Sequence, residues 1–436
     1  MSVKTNIKGS NKLLILGSDY GTYDLVKRAK ERGLYVVVAD LMTTSPSKEI
    51  ADEAWLLSTT ETDKLEKKCR ENDIGAVLTG ASDFNIEQSR KLCSRLGFPV
   101  YCSSDTAWDV ATNKRHFKDI CKRLGAPVAT DYYLSDVLSD QELAAIQYPV
   151  VVKPVDLSGN RGMSYCSNES ELKEAWKKAR ESSKNSTIIV ERELHGSEFA
   201  VNYVMADGEI VLHFFSSEHN EPGELENLYS IILTTSEHLR QYIDEVNDKV
   251  IAVLKEAGCR EGVAWVETIR DDDGNFYLLE MGYRFGGEVV NIAYEHVCGF
   301  SSLDWMIDTA CGIEHTASAL PKPLTECECG VAAAYMLFAK RDATVGEIIG
   351  LEKVEALSNV YPDFPKREGE NVRFHATMGV LRISANDVEE LIQTIKYINK
   401  NFAIKDTEGK EMFIYYTDFE SLRAEYNNGL REFNLL

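Results

Sequence analysis

The 436-residue sequence predicts a multidomain protein of mixed α/β and α+β class: a doubly wound parallel sheet first, a small α+β domain last. Three observations predict it. Strand and helix signals alternate over the first hundred residues, the order that builds a parallel sheet with helices on its faces. The texture changes near Ser103, and it changes again near Pro321, beyond which apolar strands accompany a single helix. Boundaries at 1–106, 107–320 and 321–436 follow, and a chain of this length holds about three domains.

In the first domain "KLLILGS" reads as a strand, 21–33 as a helix, "YVVVAD" as a strand and 61–72 as a helix. "AVLTG" then leads into a helix from Phe84 to Leu96, followed by a strand at "PVYC". Gly17 and Gly21 follow the first strand and Asp40 ends the second, which raises the question of dinucleotide binding. The spacing is GxxxG rather than GxGxxG, so the glycines read as a tight strand-to-helix turn instead.

In the second domain, helix 113–124 sets Phe117, Ile120, Cys121 and Leu124 on one stripe, with Lys114 one turn ahead on the same face. Such a lysine either snorkels to solvent or points its ammonium into a site, and local pattern favours snorkelling. In "YPVVVKPVDLSGNRGM", Val150 to Val152 form a short buried strand with Lys153 at its end. The loop that follows carries Ser158, Gly159, Arg161 and Gly162. Backbone N–H groups of such a loop can converge on an anion. It is not a Walker A loop, since no GK[ST] follows and "MSYCS" reads as a strand. "SNESELKEAWKKARESS" is an amphipathic helix that Glu171 is placed to cap. "TIIVERELHGSEFAVNYV" gives two strands interrupted at Glu191–Leu194, with Glu198 just beyond. A strand at 209–216 and a helix at 237–257 complete the approach to a hairpin.

That hairpin, "GVAWVETIRDDDGNFYLLEMG", joins two β-runs through Asp273-Gly274, a dipeptide that favours a tight turn. With those two residues as the loop, Asp272 faces Asn275 and Glu267 faces Glu280. Directly opposed residues hold their Cβ atoms about 4.5–5.5 Å apart, and like charges there are destabilising. Protonation, a shifted register or added cations would relieve the clash. A hard divalent ion with oxygen ligands is the simplest remedy. A solvated face is the alternative, and the apolar neighbours of Glu280 oppose it. Arg284 and Glu288 follow at even spacing. Beyond Pro321, "GVAAAYMLFAK", "FHATMGVLRIS" and "EMFIYYT" read as strands and 386–400 as a helix.

Composition limits the partners. A net charge of −22 disfavours nucleic acid, because phosphate backbones need clustered Lys and Arg. An anionic nucleotide can bind only through a local basic pocket. No apolar run approaches the roughly 20 residues of a membrane span, and the polar start lacks a signal peptide's apolar segment. Ten cysteines without CxxC or histidine spacing suggest neither disulfides nor zinc. The cytoplasm is the expected compartment.

The order of these signals carries more than each alone. A helix lysine, a strand-end lysine before a glycine-rich loop, "ERELHGSE" and two opposed glutamates together resemble the ATP-grasp superfamily, in its biotin carboxylase-like and L-amino acid ligase-like branch. The resemblance covers residues 1 to about 312 and implies a central ATP-grasp domain of two subdomains. It implies that Lys114 and Lys153 contact nucleotide phosphates under the loop Ser158–Met163, in which Ser158, Gly159, Gly162 and Met163 are the contacts. It implies that Glu191, Arg192 and Leu194 hold adenine, that Glu198 binds ribose, and that Glu267 and Glu280 ligate Mg²⁺, with Mn²⁺ as a substitute. Arg284 and Glu288 would face the reacting acid. The activity implied is ATP-dependent joining of a small carboxylate, such as an amino acid, to an amine through an acyl phosphate, and a homodimer is compatible with it. One position departs from the family's E-x-N-x-R pattern: Gly282 stands where the asparagine is usual. That keeps a catalytically silent nucleotide-binding protein in view, beside carboxylase and carbamoyl-phosphate chemistry.

Overall fold

Short branched-aliphatic runs with few polar atoms must lie inside a sheet covered on both faces, and three of them do, with a fourth, largely exposed strand at one edge. The computed structural model describes residues 10–18, 21–155, 162–183, 187–223, 229–287, 290–326, 330–364 and 366–436. Its first sheet contains β1 (Lys12–Leu16), β2 (Tyr35–Asp40), β3 (Glu53–Leu56) and β4 (Ala76–Thr79), all parallel, in the order β3-β2-β1-β4. The chain adds β2 and β3 on one side of β1 and β4 on the other. Such a reversal opens a crevice at the carboxyl ends of β1 and β4, where ligands of open α/β sheets bind. Gly17 and Gly21 line it with φ of 89° and 78°, as a tight turn requires. On its other wall Ser82 caps helix Asp83–Leu96.

"PVYC" is not a strand: residues 99–102 lie outside every sheet. Pro99 lacks the N–H that a ladder needs. Tyr101 instead packs edge-on against Tyr283 at 5.4 Å, and its carbonyl accepts from the Tyr283 hydroxyl at 3.1 Å, joining the first domain to the second.

The central region has two antiparallel sheets. The smaller has the order β5-β8-β6-β7, from β5 (Asp131–Tyr132), β6 (Val150–Pro154), β7 (Ser164–Cys166) and β8 (Ile188–Arg192). Helix Glu169–Ser182 covers it with Leu172, Ala175, Trp176 and Ala179. Asn168 caps that helix, and Glu171 accepts from the Ser167 N–H at 2.7 Å. The larger sheet begins with β9 (Gly196–Ala206), β10 (Glu209–Asn220), β11 (Tyr229–Thr234), β12 (Gly262–Asp271) and β13 (Phe276–Gly282).

The last third adds β14 (Val331–Phe338), β15 (Ala343–Ile349), β16 (Val360–Asp363), β17 (Asn371–Val372), β18 (Thr377–Ala385) and β19 (Ala403–Asp406). Three of these extend the larger sheet to eight strands, β13-β12-β9-β10-β11-β14-β18-β16, while β17-β15-β19 form a separate sheet. The joint is β11 against β14, and every residue of β14 is buried. The residue 320/321 boundary therefore does not interrupt the sheet. "EMFIYYT" makes only isolated bridges, through Phe413 and Glu411, and plugs the core with Met412, Phe413, Ile414 and Tyr416. Among the described residues no helix is long and apolar enough to cross a membrane, and the eight described cysteines are unpaired.

Two buried ion pairs tie the C-terminal region to the rest. Arg382 on β18 grips Asp24 of helix Thr22–Glu31 at 2.6 and 3.1 Å. On β10, His219 Nε2 lies 2.8 Å from Glu425 Oε2, on the C-terminal helix. Burial alone would lower the His219 pKa, but Glu425 outweighs it and raises the value. Burial would raise Glu425, but His219 and the hydroxyls of Ser217 and Thr235 hold it down. The signs define a window. A raised histidine stabilises fully below its unfolded value of 6.5, and this is lost as pH rises through the folded value; the depressed carboxyl stabilises above 4.5 and fails in acid. The pair should therefore contribute most between these values. In thermal melts, the deficit of Glu425→Gln against wild type should be greatest there and shrink on the alkaline side. A deficit that grows with pH would contradict the assignment.

Candidate functional site

The hairpin β12–β13 places the two glutamates opposite each other by a route that differs from the expected one. The Asp271 N–H donates to the Asn275 carbonyl at 2.9 Å and the Gly274 N–H to that of Asp271 at 2.8 Å, so Asp272, Asp273 and Gly274 form a three-residue loop. Gly274 takes φ of 82°, the left-handed position such a loop requires. Near the turn the register is accordingly one residue off, with Thr268 opposite Leu278. A bulge at Leu279 absorbs the offset, and beyond it Glu267 faces Glu280, Val266 faces Met281 and Trp265 faces Gly282. Bulges re-aim side chains in this way.

Burial pushes the Glu267 carboxyl up to about 8, with Glu280 and Glu198 adding to the rise and Lys114 and Lys153 opposing it. Burial and the neighbouring carboxylates thus outweigh the two lysines. The two carboxylates are a fit for a hard cation. Among the described residues no group of three or more His, Cys, Asp and Glu is placed to hold a metal ion. An ion here would complete its shell with phosphate oxygens and water, as Mg²⁺ commonly does.

Cations face this pair. Asn113 caps helix Lys114–Arg123 by accepting from the N–H groups of Arg115 and His116. That fixes Lys114 at the first helical position, where its ammonium meets Glu280 Oε2 instead of snorkelling to solvent. One turn on, Lys118 is 1% exposed and contacts Glu191 Oε2. Lys153, at the end of β6, contacts Glu191 Oε1. Burial, then Lys114, lowers Lys153 to about 8. Burial and Lys153 push Lys118 well below the usual lysine range, with Asp131 opposing them. Glu191 thus lies between two lysines, although its Oε2 and the Lys118 Nζ make no regular hydrogen bond.

The segment between β8 and β9 links the two central sheets. Arg192 binds Asp271 at 2.7 Å and stacks on the Tyr277 ring at 4.9 Å, while the His195 N–H donates to the same Asp271 at 2.7 Å. Leu194, between them, is partly buried. Glu198, at the start of β9, opens toward solvent yet is crowded from the sides; burial raises its pKa against a hydrogen bond to Glu218. Gly162, with φ of 76°, and Met163 lead into β7. Ser158, Gly159 and Glu288 lie outside the described residues.

Arg284 crosses to the first domain. Its Nε and Nη2 donate to the two carboxylate oxygens of Asp83 at 2.6 and 3.2 Å, and its Nη1 to the Phe285 carbonyl at 2.8 Å. Asp83 opens helix Asp83–Leu96 at the sheet crevice, so the guanidinium stands where the parallel sheet and the hairpin meet. Lys114, Lys153, Glu191, Glu267, Glu280 and Arg284 therefore gather on one side of the large sheet. Sequence reasoning missed Lys118, Asp83 and Trp265. Lys118 had a signal, since it lies four residues after Lys114 and beside Phe117 on the buried stripe. Asp83 and Trp265 had none, because their partners are distant in the chain.

Residues 146–292 match the family model of the ATP-grasp domain. A carbamoyl phosphate synthase large chain of Clostridium botulinum is 22% identical over 299 residues, which is 64% of this chain and 27% of that one. The chain thus spans about a quarter of the length of that curated relative. The crystal structure of an L-amino acid ligase from Bacillus licheniformis superposes with a TM-score of 0.69 at 19% identity, covering 90% of this chain and 98% of that chain. The biotin carboxylase domain dimer of Hydrogenobacter thermophilus 2-oxoglutarate carboxylase, in complex with MgADP, ADP and bicarbonate, superposes at 0.74 with 18% identity, covering 92% and 91%. Likeness at these identities shows a shared fold.

Proposed function

From the match of residues 146–292 to the ATP-grasp domain family, we propose that this chain is an ATP-dependent carboxylate–amine ligase. The observation that carries the reading is the opposed pair Glu267 and Glu280, faced by the ammonium groups of Lys114 and Lys153. Phosphoryl transfer asks a protein mainly for positioning and charge neutralisation, and an acidic protein supplies positive charge only where it is built in. In this reading Lys114 and Lys153 bind the ATP phosphates, with Ser158–Met163 over them. The segment Glu191–Leu194 borders adenine and Glu198 the ribose. Glu267 and Glu280 hold Mg²⁺, which neutralises phosphate charge when bound.

Arg284 and Glu288 face the acid. A carboxylate oxygen attacks the γ-phosphorus, the bond to the β-phosphate oxygen breaks, and ADP leaves with that electron pair. The amine nitrogen then attacks the acyl carbon, the carbon–oxygen bond to phosphate breaks, and the amine proton passes to solvent. The sum is acid, amine and ATP giving amide, ADP and phosphate. Arg284 is held between Asp83 and Trp265, and in this reading it carries the charge of the acid and of the transferred phosphoryl group.

Small-molecule acids and amines are the substrates in this reading, and a homodimer is part of it because a structural neighbour is a dimer. The likeness to a carbamoyl phosphate synthase and to a bicarbonate-bound carboxylase favours bicarbonate as a second candidate acid. Measuring ADP release with MgATP across pairs of amino acids, and with bicarbonate, tests both. Release that requires an acid and an amine supports the ligase. Release with bicarbonate alone moves the chain to the second reading. MgATP binding without release from any acid would make it a nucleotide-binding protein and end the proposal.

A further inference from the structure

Gly282 is where the chain departs from the E-x-N-x-R pattern, and the sequence alone leaves the reason open. The structure places a reason directly across the strand pair. Trp265 on β12 opposes Gly282 on β13, next along from Glu267 and Glu280, so all four positions share one face. A Cβ built on Gly282 would come within 2.6 Å of Trp265 Cζ2 and nearer still to Cε2 and Nε1. No side chain fits there while the indole stays. The ring also lies against Arg284, whose guanidinium carbon is 5.1 Å from its centroid, inside cation–π range.

The indole N–H gives a second clue. Trp265 Nε1 is buried and has no hydrogen-bond partner among the described residues. A buried donor without an acceptor costs free energy. The residue is therefore not held in place by that N–H; what the position uses is the flat ring, which covers Gly282 and supports the guanidinium. Asp83 and the Phe285 carbonyl bind Arg284 through its N–H groups, which lie in the guanidinium plane, and the ring supplies an aromatic contact of a different kind.

We propose that Trp265 is a positioning residue for Arg284, and that Gly282 is glycine because the indole occupies the space its side chain would need. The inference rests on the ligase reading for what Arg284 does, but not for the packing itself. The asparagine of the E-x-N-x-R pattern would find no room at 282 while the indole stays. Gly282→Asn must displace the indole and with it the guanidinium, so in the wild-type background it lowers activity.

The test uses the full chain with Trp265→Ala, Trp265→Phe, Gly282→Ala and the double variant Trp265→Ala/Gly282→Ala. Trp265→Ala should lower kcat for ADP release about thirtyfold, the rate equivalent of losing a desolvated cation–π contact, without weakening MgATP binding in a calorimetric titration. Trp265→Phe keeps an aromatic face and should recover most of that loss. In thermal melts Gly282→Ala should be strongly destabilising in the wild-type background and far less so when added to Trp265→Ala. Selective arginine labelling adds a readout that needs no turnover: the Arg284 Nε–H resonance, identified by its absence in Arg284→Lys, should be ring-shifted in wild type and lose that shift in Trp265→Ala. Equal effects of Gly282→Ala on the melts in both backgrounds, an unmoved Arg284 resonance, or wild-type kcat in Trp265→Ala would each overturn the proposal. If no acid supports ADP release, the ligase reading fails, while the melts and the resonance still decide whether Trp265 and Gly282 form this unit.

Discussion

Glu280→Gln should reduce ADP release by at least about a thousandfold, a barrier increase of about 4 kcal/mol, while leaving the thermal midpoint close to wild type. The two halves of this expectation have the same origin. Glu280 faces Glu267 across the strand pair and receives the Lys114 ammonium. Its charge is among the causes that push Glu267 up to about 8. Replacing it with the isosteric amide removes a like-charge opposition, which offsets the lost ion pair to Lys114, so the folded protein is not greatly harmed. In the proposed reading a magnesium ion, in contrast, loses half of its protein carboxylates. An amide oxygen is a weaker ligand for a hard cation, and no third acidic group among the described residues is placed to substitute. Raising Mg²⁺ should restore little of the rate. Wild-type turnover in Glu280→Gln would remove the metal role from this pair, and a large fall in the midpoint would make the pair a structural element.

How much of this site can be read from the sequence depends on whether a feature is local. The opposition of Glu267 and Glu280 was legible, yet through two departures that offset each other. The loop has three residues where Asp273-Gly274 suggested two, and the Leu279 bulge restores the register. Turn dipeptides report a preference for tight turns, not the length of a loop, and nothing in "FYLLEMG" marks which residue bulges. The parallel sheet was legible because βα alternation fixes it, though β3 went unrecognised and "PVYC" was read as a strand that Pro99 prevents. The continuity of the large sheet through β11 and β14 was not legible. It depends on pairing between residues about a hundred apart in the chain, for which local pattern carries no signal. Lys118 was hidden for a different reason. A lysine on an apolar stripe is ordinarily solvent-directed, and only the position of Glu191 shows why this one is buried.

Glu191→Gln should be the most destabilising conservative substitution in the site, costing roughly 3–5 kcal/mol, the usual cost of removing one partner from a buried charge pair. Glu191 is 3% exposed and is the anion that Lys118 and Lys153 share. Burial already holds both lysines below their usual range, and removing the charge between them pushes them lower still. The protein's escape is to release a proton from one of them, and this bounds the penalty. Each unit by which a lysine pKa must fall costs about 1.4 kcal/mol, so going from its ordinary 10.5 to pH 7 costs about 5 kcal/mol. The sign with pH follows. A lysine depressed in the folded state binds fewer protons there than in the unfolded chain, so stability rises as pH rises toward the unfolded value. The deficit of Glu191→Gln in urea denaturation should therefore narrow between pH 7 and about 10. Lys118→Met should cost much less, because Glu191 keeps Lys153 as a partner, and adding it to Glu191→Gln should recover a large part of the loss. If Lys153 binds the ATP phosphates as proposed, MgATP should also raise the stability of Glu191→Gln by returning negative charge to it. A deficit that is unchanged by pH and by Lys118→Met would show that Glu191 matters for packing alone, and Lys153 would then need another account of how it is held.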